Sequence, residues 1–185
     1  MFARVRPIFA LGAGLLIGAF AGPMTTGAAT TNAVQTRHVS CGPTDFQPID
    51  SGSTFTLGSS QIIYRTSGGG SSSFRCSPKL PHNAVVTKLY VLLADYDPAG
   101  QAGECYFRRQ SLNPAVQGLP EEMAYTPDSG ISFSGGRVAY QDLTINFPQV
   151  KNGTYFYYLS CTLTTNPNAG LIGASITFNI DPANG

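Results

Sequence analysis

The sequence predicts an all-β fold: a single antiparallel β-sandwich of jelly-roll type, with about eight or nine strands and two disulfide bonds. Three observations lead to this prediction. Apolar and polar residues alternate with a period of two, turn-forming residues separate the alternating segments, and no long segment has helical periodicity. The 185 residues suit one domain, and 42% hydrophobic with only 11% charged residues is the composition of a chain that forms a core.

The clearest strands lie in the second half of the chain. Residues 154–163 place Tyr155, Tyr157, Leu159, Cys161 and Leu163 on one face. The last strand alternates in the same way, and we predict inward positions at Ile172, Ala174, Ile176, Phe178 and Ile180. A further strand over Tyr140–Phe147 would bury Leu143, Ile145 and Phe147. Weaker patterns predict strands at Thr54–Leu57, Gln61–Thr66, Ser73–Cys76, Ala84–Ala94, Cys105–Arg109 and Gly130–Ser134.

Two short segments carry signals for other local structures. Asn152-Gly153 predicts a two-residue hairpin turn of type I′, because both residues tolerate positive φ. Pro120-Glu121-Glu122-Met123 predicts a single helical turn, with proline in the first position and acidic residues at its amino end.

The first 21 residues have the pattern of a secretory signal peptide. Arg4 and Arg6 precede an uncharged apolar run from Ile8 to Ala21, which is shorter than a membrane-spanning helix. We expect cleavage after Ala21, with a later alternative at residue 29. Residues 22–40 would then form a flexible mature N-terminus, and residues 41–181 the β-sandwich domain. The protein is expected to be secreted and extracellular, without a membrane anchor.

The four cysteines predict the disulfide framework of an exported protein. Cys41, Cys76, Cys105 and Cys161 permit three pairings, of which we favour Cys41–Cys76 and Cys105–Cys161. The second pair lies in two strands that could face each other across the core. The wide spacings contain no close cysteine pair, which argues against zinc.

Catalytic signatures are absent from the sequence, which favours a non-catalytic protein. It has two histidines, His38 and His82, and neither belongs to a nucleophile-elbow or metalloprotease motif. After removal of the two signal-peptide arginines the chain is nearly neutral, so no basic surface indicates a nucleic-acid partner.

The most distinctive polar cluster is Asp95-Tyr96-Asp97-Pro98 at a strand end. Asp95 and Asp97 are two residues apart and would point the same way, so a calcium site completed by Glu104 is one hypothesis and a turn cap is the other. Tyrosines on sheet faces can stack on sugar rings, although they also serve ordinary packing. The predicted binding contacts are Asp95, Tyr96, Asp97 and Arg108, with no catalytic residue and no cofactor other than this candidate Ca²⁺.

Four segments together resemble a known pattern. They are Leu80–Lys88, Asp95–Pro98, Cys105–Arg109 and Asn152–Tyr158. This combination resembles a loose group of exported bacterial β-sandwich proteins of unassigned function, which share an LPxGAxVT strand, a DxDP turn, an L-x-R strand and a tyrosine-rich penultimate strand. His82-Asn83 departs from the pattern, where the group has a small residue and glycine. The resemblance covers roughly residues 74–178 and implies a sandwich outside the cytoplasm, without assigning any catalytic residue.

These observations predict a secreted binding or structural module that adheres to polysaccharide or to a cell surface. One alternative is a secreted hydrolase acting on glycans or peptides, which would need a converging acid pair or His82 beside a serine and an aspartate. Another is a self-assembling subunit of a surface layer or fibre, joined through exposed strand edges.

Overall fold

The computed structural model describes residues 33–50, 54–59, 61–67, 72–96, 103–116, 118–126, 136–164 and 169–181. Their strands are β1 (Gln35–Cys41), β2 (Gln47–Pro48), β3 (Thr54–Leu57), β4 (Ile63–Ser67), β5 (Ser72–Cys76), β6 (Val85–Asp95), β7 (Gly103–Ser111), β8 (Glu121–Thr126), β9 (Gly136–Asp142), β10 (Tyr155–Leu163) and β11 (Ala169–Ile180). Two short 3-10 helices cover Pro43–Asp45 and Pro114–Val116. No helix in this described part of the chain is long and apolar enough to cross a membrane.

The strands form two antiparallel sheets, which confirms the predicted all-β sandwich. The six-stranded sheet has the order β3-β4-β11-β6-β9, with β1 also paired to β11. The five-stranded sheet has the order β2-β5-β10-β7-β8. A register shift between Leu171 and Gly173 divides β11, so that β4 pairs with its first residues and β1 with the remainder.

The core lies between the two sheets and follows the alternation read from the sequence. Tyr157, Leu159, Cys161 and Leu163 of β10 are buried, as are Ala174, Ile176 and Phe178 of β11. Ile172 sits at the register shift and is only half-buried. The expected burial of Leu143 and Phe147 is wrong: β9 ends at Asp142, and these two side chains are 66% and 50% exposed.

Both predicted disulfides are present. Cys41 of β1 is bonded to Cys76 of β5, so this bond joins the two sheets. Cys105 of β7 and Cys161 of β10 are directly paired neighbours in the five-stranded sheet. This second bond therefore lies within one sheet and does not cross the core as expected.

Several local predictions are corrected by the pairing of strands. Residues 121–126 form β8 and not a helical turn, because pairing with β7 supplies their backbone hydrogen bonds. The turn at Asn152-Gly153 precedes β10, whose partners are β5 and β7, and it therefore does not close a hairpin. β1 begins at Gln35, inside the segment expected to be flexible. The predicted signal peptide and the strand predicted at Gly130–Ser134 lie outside the described residues.

Candidate functional site

The outward side of the five-stranded sheet carries an unusual concentration of aromatic and arginine side chains. We call this surface the outer aromatic face; its members are Arg75, Glu104, Tyr106, Arg108, Tyr125, Phe156, Tyr158 and Ser160. They alternate along their strands with buried residues such as Phe74, Phe107 and Leu159, and this period of two directs them away from the core.

One row of the outer aromatic face crosses all five strands. The register aligns Gln47, Arg75, Ser160, Tyr106 and Tyr125 side by side. Neighbouring strands are about 4.8 Å apart, so this row is about 19 Å long. Ser160 at its centre is 8% exposed, because larger side chains stand around it.

A tyrosine pair occupies the β8 end of this row. The rings of Tyr106 and Tyr125 are stacked with centroids 4.7 Å apart, and the Arg108 guanidinium lies 4.2 Å from the Tyr106 centroid. The Tyr125 hydroxyl donates a hydrogen bond of 3.4 Å to Glu104. Burial, followed by the neighbouring Glu104 carboxylate, raises the pKa of Tyr106 to about 12. The phenol therefore stays neutral and is held in place as a donor.

A second aromatic pair lies beside the first on β10. Phe156 and Tyr158 stack with centroids 5.3 Å apart, and the Arg75 guanidinium covers Tyr158 at 4.3 Å from the ring centroid. Tyr158 is 1% exposed under this cover, whereas Phe156 remains 36% exposed. The ring of Phe156 is thus the part of this pair that another molecule can reach.

Next to Arg75 the surface falls into a groove of about 770 Å³, which we call the Arg75 groove. Arg75 and Lys79 are the basic residues that line it, and Asp45 is the acidic one. One oxygen of Asp45 accepts a 2.8 Å hydrogen bond from the backbone N–H of Gly42. The disulfide cysteines Cys41 and Cys76 also line the groove.

The predicted contact residues do not form one cluster. Arg108 lies on the outer aromatic face, as described. Asp95 belongs to the six-stranded sheet, where it continues the inward series of Leu89, Val91 and Leu93 and is completely buried. Tyr96 follows it, is 47% exposed, and is hydrogen-bonded to Tyr64. Asp97 lies outside the described residues.

The described residues do not assemble a metal site. Within them, no three His, Cys, Asp or Glu side chains are close enough together to hold an ion. Glu104, the third ligand of the calcium hypothesis, lies on β7 and contacts the tyrosine pair, whereas Asp95 ends β6 in the other sheet.

His82 has a structural contact that does not resemble a catalytic base. Its Nδ1 accepts a 3.2 Å hydrogen bond from the backbone N–H of Asn152, and the Asn152 side chain donates to the carbonyl of Leu80. In a serine–histidine–aspartate triad this nitrogen would instead carry a hydrogen and donate a hydrogen bond to a carboxylate. The contact fastens the 80–83 loop to the turn before β10.

Comparison with known proteins finds no family model that matches the chain and no match among curated proteins. Solved structures do match. The CBM22-1 and GH10 modules of endo-1,4-β-D-xylanase 10B from Clostridium thermocellum, complexed with xylohexaose, align over 77% of this chain with 11% identity and a TM-score of 0.48. This chain spans only 27% of that xylanase chain.

Two smaller binding modules are also similar. A family 29 carbohydrate-binding module from Piromyces equi aligns over 78% of this chain and 91% of its own, with 8% identity and a TM-score of 0.41. The low-affinity xylan-binding module CBM86 from Roseburia intestinalis aligns over 80% of this chain and 99% of its own, with 10% identity and a TM-score of 0.37.

Proposed function

We propose that the protein is a non-catalytic polysaccharide-binding module that works outside the cell and binds a glycan chain across its outer aromatic face. The observation that carries the proposal is the stacked pair Tyr106–Tyr125, with Arg108 over Tyr106, on the outward side of the sheet. This arrangement places rigid rings and two phenol hydroxyls, both hydrogen-bonded to Glu104, on one open surface.

A sugar ring has the chemistry that such a surface recognises. Its C–H groups form an apolar face that packs on an aromatic ring, while its hydroxyl groups point outward from the ring edge. Tyrosine provides apolar area and a polar hydroxyl with few rotatable bonds, so little conformational entropy is lost on binding. The exposed ring of Phe156 offers a further apolar contact.

The row from Gln47 to Tyr125 defines the path along which a polysaccharide would lie. A polysaccharide lying across the strands would contact the tyrosine pair at β8, then the short side chain of Ser160, and then Arg75 at β5. The row of about 19 Å has room for several sugar units. Binding over an extended row of this kind suits a polymer better than a single sugar.

The proposed location has support from the covalent structure. Two disulfides in one small domain are typical of proteins that fold in an oxidising compartment. The amino-terminal sequence adds the pattern of a secretory signal, with Arg4 and Arg6 before an apolar run.

The proposal can be tested by binding of the oxidised chain to xylan, mannan, cellulose, chitin and uronate polysaccharides. We expect Tyr106→Ala and Tyr125→Ala each to weaken binding at least about tenfold, because each removes half of the stacked pair. The matched control is Tyr90→Ala, which removes a half-buried tyrosine from the outward side of the other sheet. Binding by both tyrosine variants at the strength of the unmodified protein, with unchanged melting temperatures, would refute the proposal.

A further inference from the structure

We infer that the polysaccharide is acidic, and that the carboxylate of a uronic acid unit binds to Arg75 where the outer aromatic face meets the Arg75 groove. This inference rests on the proposed function and specifies the class of glycan.

Arg75 belongs to both surfaces at once. Its guanidinium lies over the ring of Tyr158, and the same residue lines the groove. A guanidinium stacked on an aromatic ring keeps the N–H groups along its edge available and loses little further freedom on binding. Its cross-strand neighbours, Gln47 and Ser160, are both uncharged. Arg75 is therefore oriented in advance to bind a planar anion.

Charge is distributed unevenly along the row. At the β8 end, Arg108 is accompanied by Glu104 on its own strand and by Glu122 as its cross-strand partner. At the β5 end, Arg75 and Lys79 share the groove with one carboxylate, Asp45, which is engaged by the backbone of Gly42. The β5 end thus has two cations to one carboxylate, while the β8 end has one cation to two carboxylates.

The shape of the groove favours a carboxylate carried on a sugar ring. A cavity of about 770 Å³ is large enough to hold a sugar unit and not only a small ion. In a uronic acid the carboxylate projects from the edge of the ring, so the ring can lie against the aromatic surface while the carboxylate faces the guanidinium. Arginine and carboxylate match as a planar pair with two parallel hydrogen bonds.

The test compares polygalacturonate with its fully methyl-esterified form, because the two share a backbone and differ in charge. Alginate provides a second uronate polymer. We expect polygalacturonate or alginate to bind about tenfold or more tightly than the ester, and this preference to weaken as NaCl is raised from about 0.05 to 0.5 M. Arg75→Gln should remove the preference, and Lys79→Gln should reduce it. Arg137→Gln, which removes an exposed cation from the other sheet, is the matched control.

The outcomes separate this inference from the proposed function. Equal binding of charged and esterified polymers, with both lost in Tyr106→Ala, would overturn the inference and leave the proposed function standing. The inference also fails, and the proposed function survives, if neutral glycans bind and neither uronate polymer does, or if Arg75→Gln keeps the preference. Absence of binding to every polysaccharide would overturn both.

Discussion

Arg108 and Arg109 are adjacent in the chain and lie on opposite sides of β7. Arg108 lies over Tyr106 on the outer aromatic face, whereas Arg109 is 8% exposed at the end of the core. The Arg109 guanidinium lies 3.9 Å from the centroid of Phe147 and 4.2 Å from that of Tyr155, and its Nε donates to Glu121 at 2.6 Å. Arg108 therefore belongs to the outer aromatic face, whereas Arg109 covers the end of the core.

This difference predicts unequal effects of the same substitution. Arg109→Met should lower the free energy of unfolding by about 2 kcal/mol, because it removes two cation–π contacts and a charged hydrogen bond. Arg108→Met should cost less than about 1 kcal/mol, since its contact is partly exposed. Chemical denaturation of both variants measures the difference. Equal losses would contradict the assignment of Arg109 to a structural role.

The two disulfides should contribute similarly to stability but differently to glycan binding. Replacing either cysteine pair by alanine should lower the free energy of unfolding by about 2–4 kcal/mol, because the two loops differ little in closure entropy. The Cys41→Ala/Cys76→Ala variant should also lose the preference for acidic glycan, since both cysteines line the Arg75 groove. The Cys105→Ala/Cys161→Ala variant is the control, because that buried pair lies outside the groove. Calorimetry and the polygalacturonate comparison provide the two readouts.

In an ultraviolet titration, Tyr106 should ionise at a higher pH than an ordinary tyrosine. Its pKa is raised to about 12 by burial and then by Glu104. Between the ordinary value near 10 and about 12, the unfolded chain has lost this proton and the folded chain has kept it. Stability should therefore fall as the pH rises through that window, and Tyr106→Phe should remove this part of the decrease.

Glu104→Gln provides the control for this titration. It keeps the side-chain shape and removes the negative charge beside the tyrosine pair, so the pKa of Tyr106 should fall toward 10. Burial also raises the pKa values of Tyr64 and Tyr157, and these two groups should be unaffected. A Tyr106 titration that does not respond to Glu104→Gln would show that the carboxylate does not face this phenol.

Asn152 should be important for holding the loop that precedes β6. Asn152→Asp is nearly isosteric but replaces the amide donor to the Leu80 carbonyl with a carboxylate, which repels that oxygen. We expect a loss of about 1–2 kcal/mol, with little effect on glycan binding. Thermal unfolding measures the loss, and Asn113→Asp, in an exposed turn of the chain, is the comparison.

Local patterns predict the central strands well. Alternation alone places Tyr157, Leu159 and Leu163 inward, and the position of the cysteines relative to the predicted strands favours, among three possible pairings, the one observed. The segment 120–123 is misleading because proline and two glutamates are also favourable at the start of a helix. Its partner β7 lies earlier in the chain, and pairing with that strand outweighs the local preference.

The candidate site is only partly accessible from the sequence. Arg108 is predicted as a contact, but its neighbours come from β5, β8 and β10, and only the strand order brings them together. The alternation of side chains along a strand could have identified Arg75 as a surface residue of this site. Its neighbours Phe74 and Cys76 face inward, so Arg75 faces outward. The same alternation, continued from Leu89 through Leu93, would have predicted that Asp95 points into the core.

The bond between Cys41 and Cys76 also determines how the molecule would respond to tension. If the proposed polysaccharide ligand is anchored elsewhere, a bound chain under tension pulls on the residue that holds it. Arg75 is followed directly by Cys76, and Cys76 is bonded to β1, which is paired with β11 from Gln35 to Cys41. A load applied at Arg75 therefore reaches both sheets and cannot detach β5 alone.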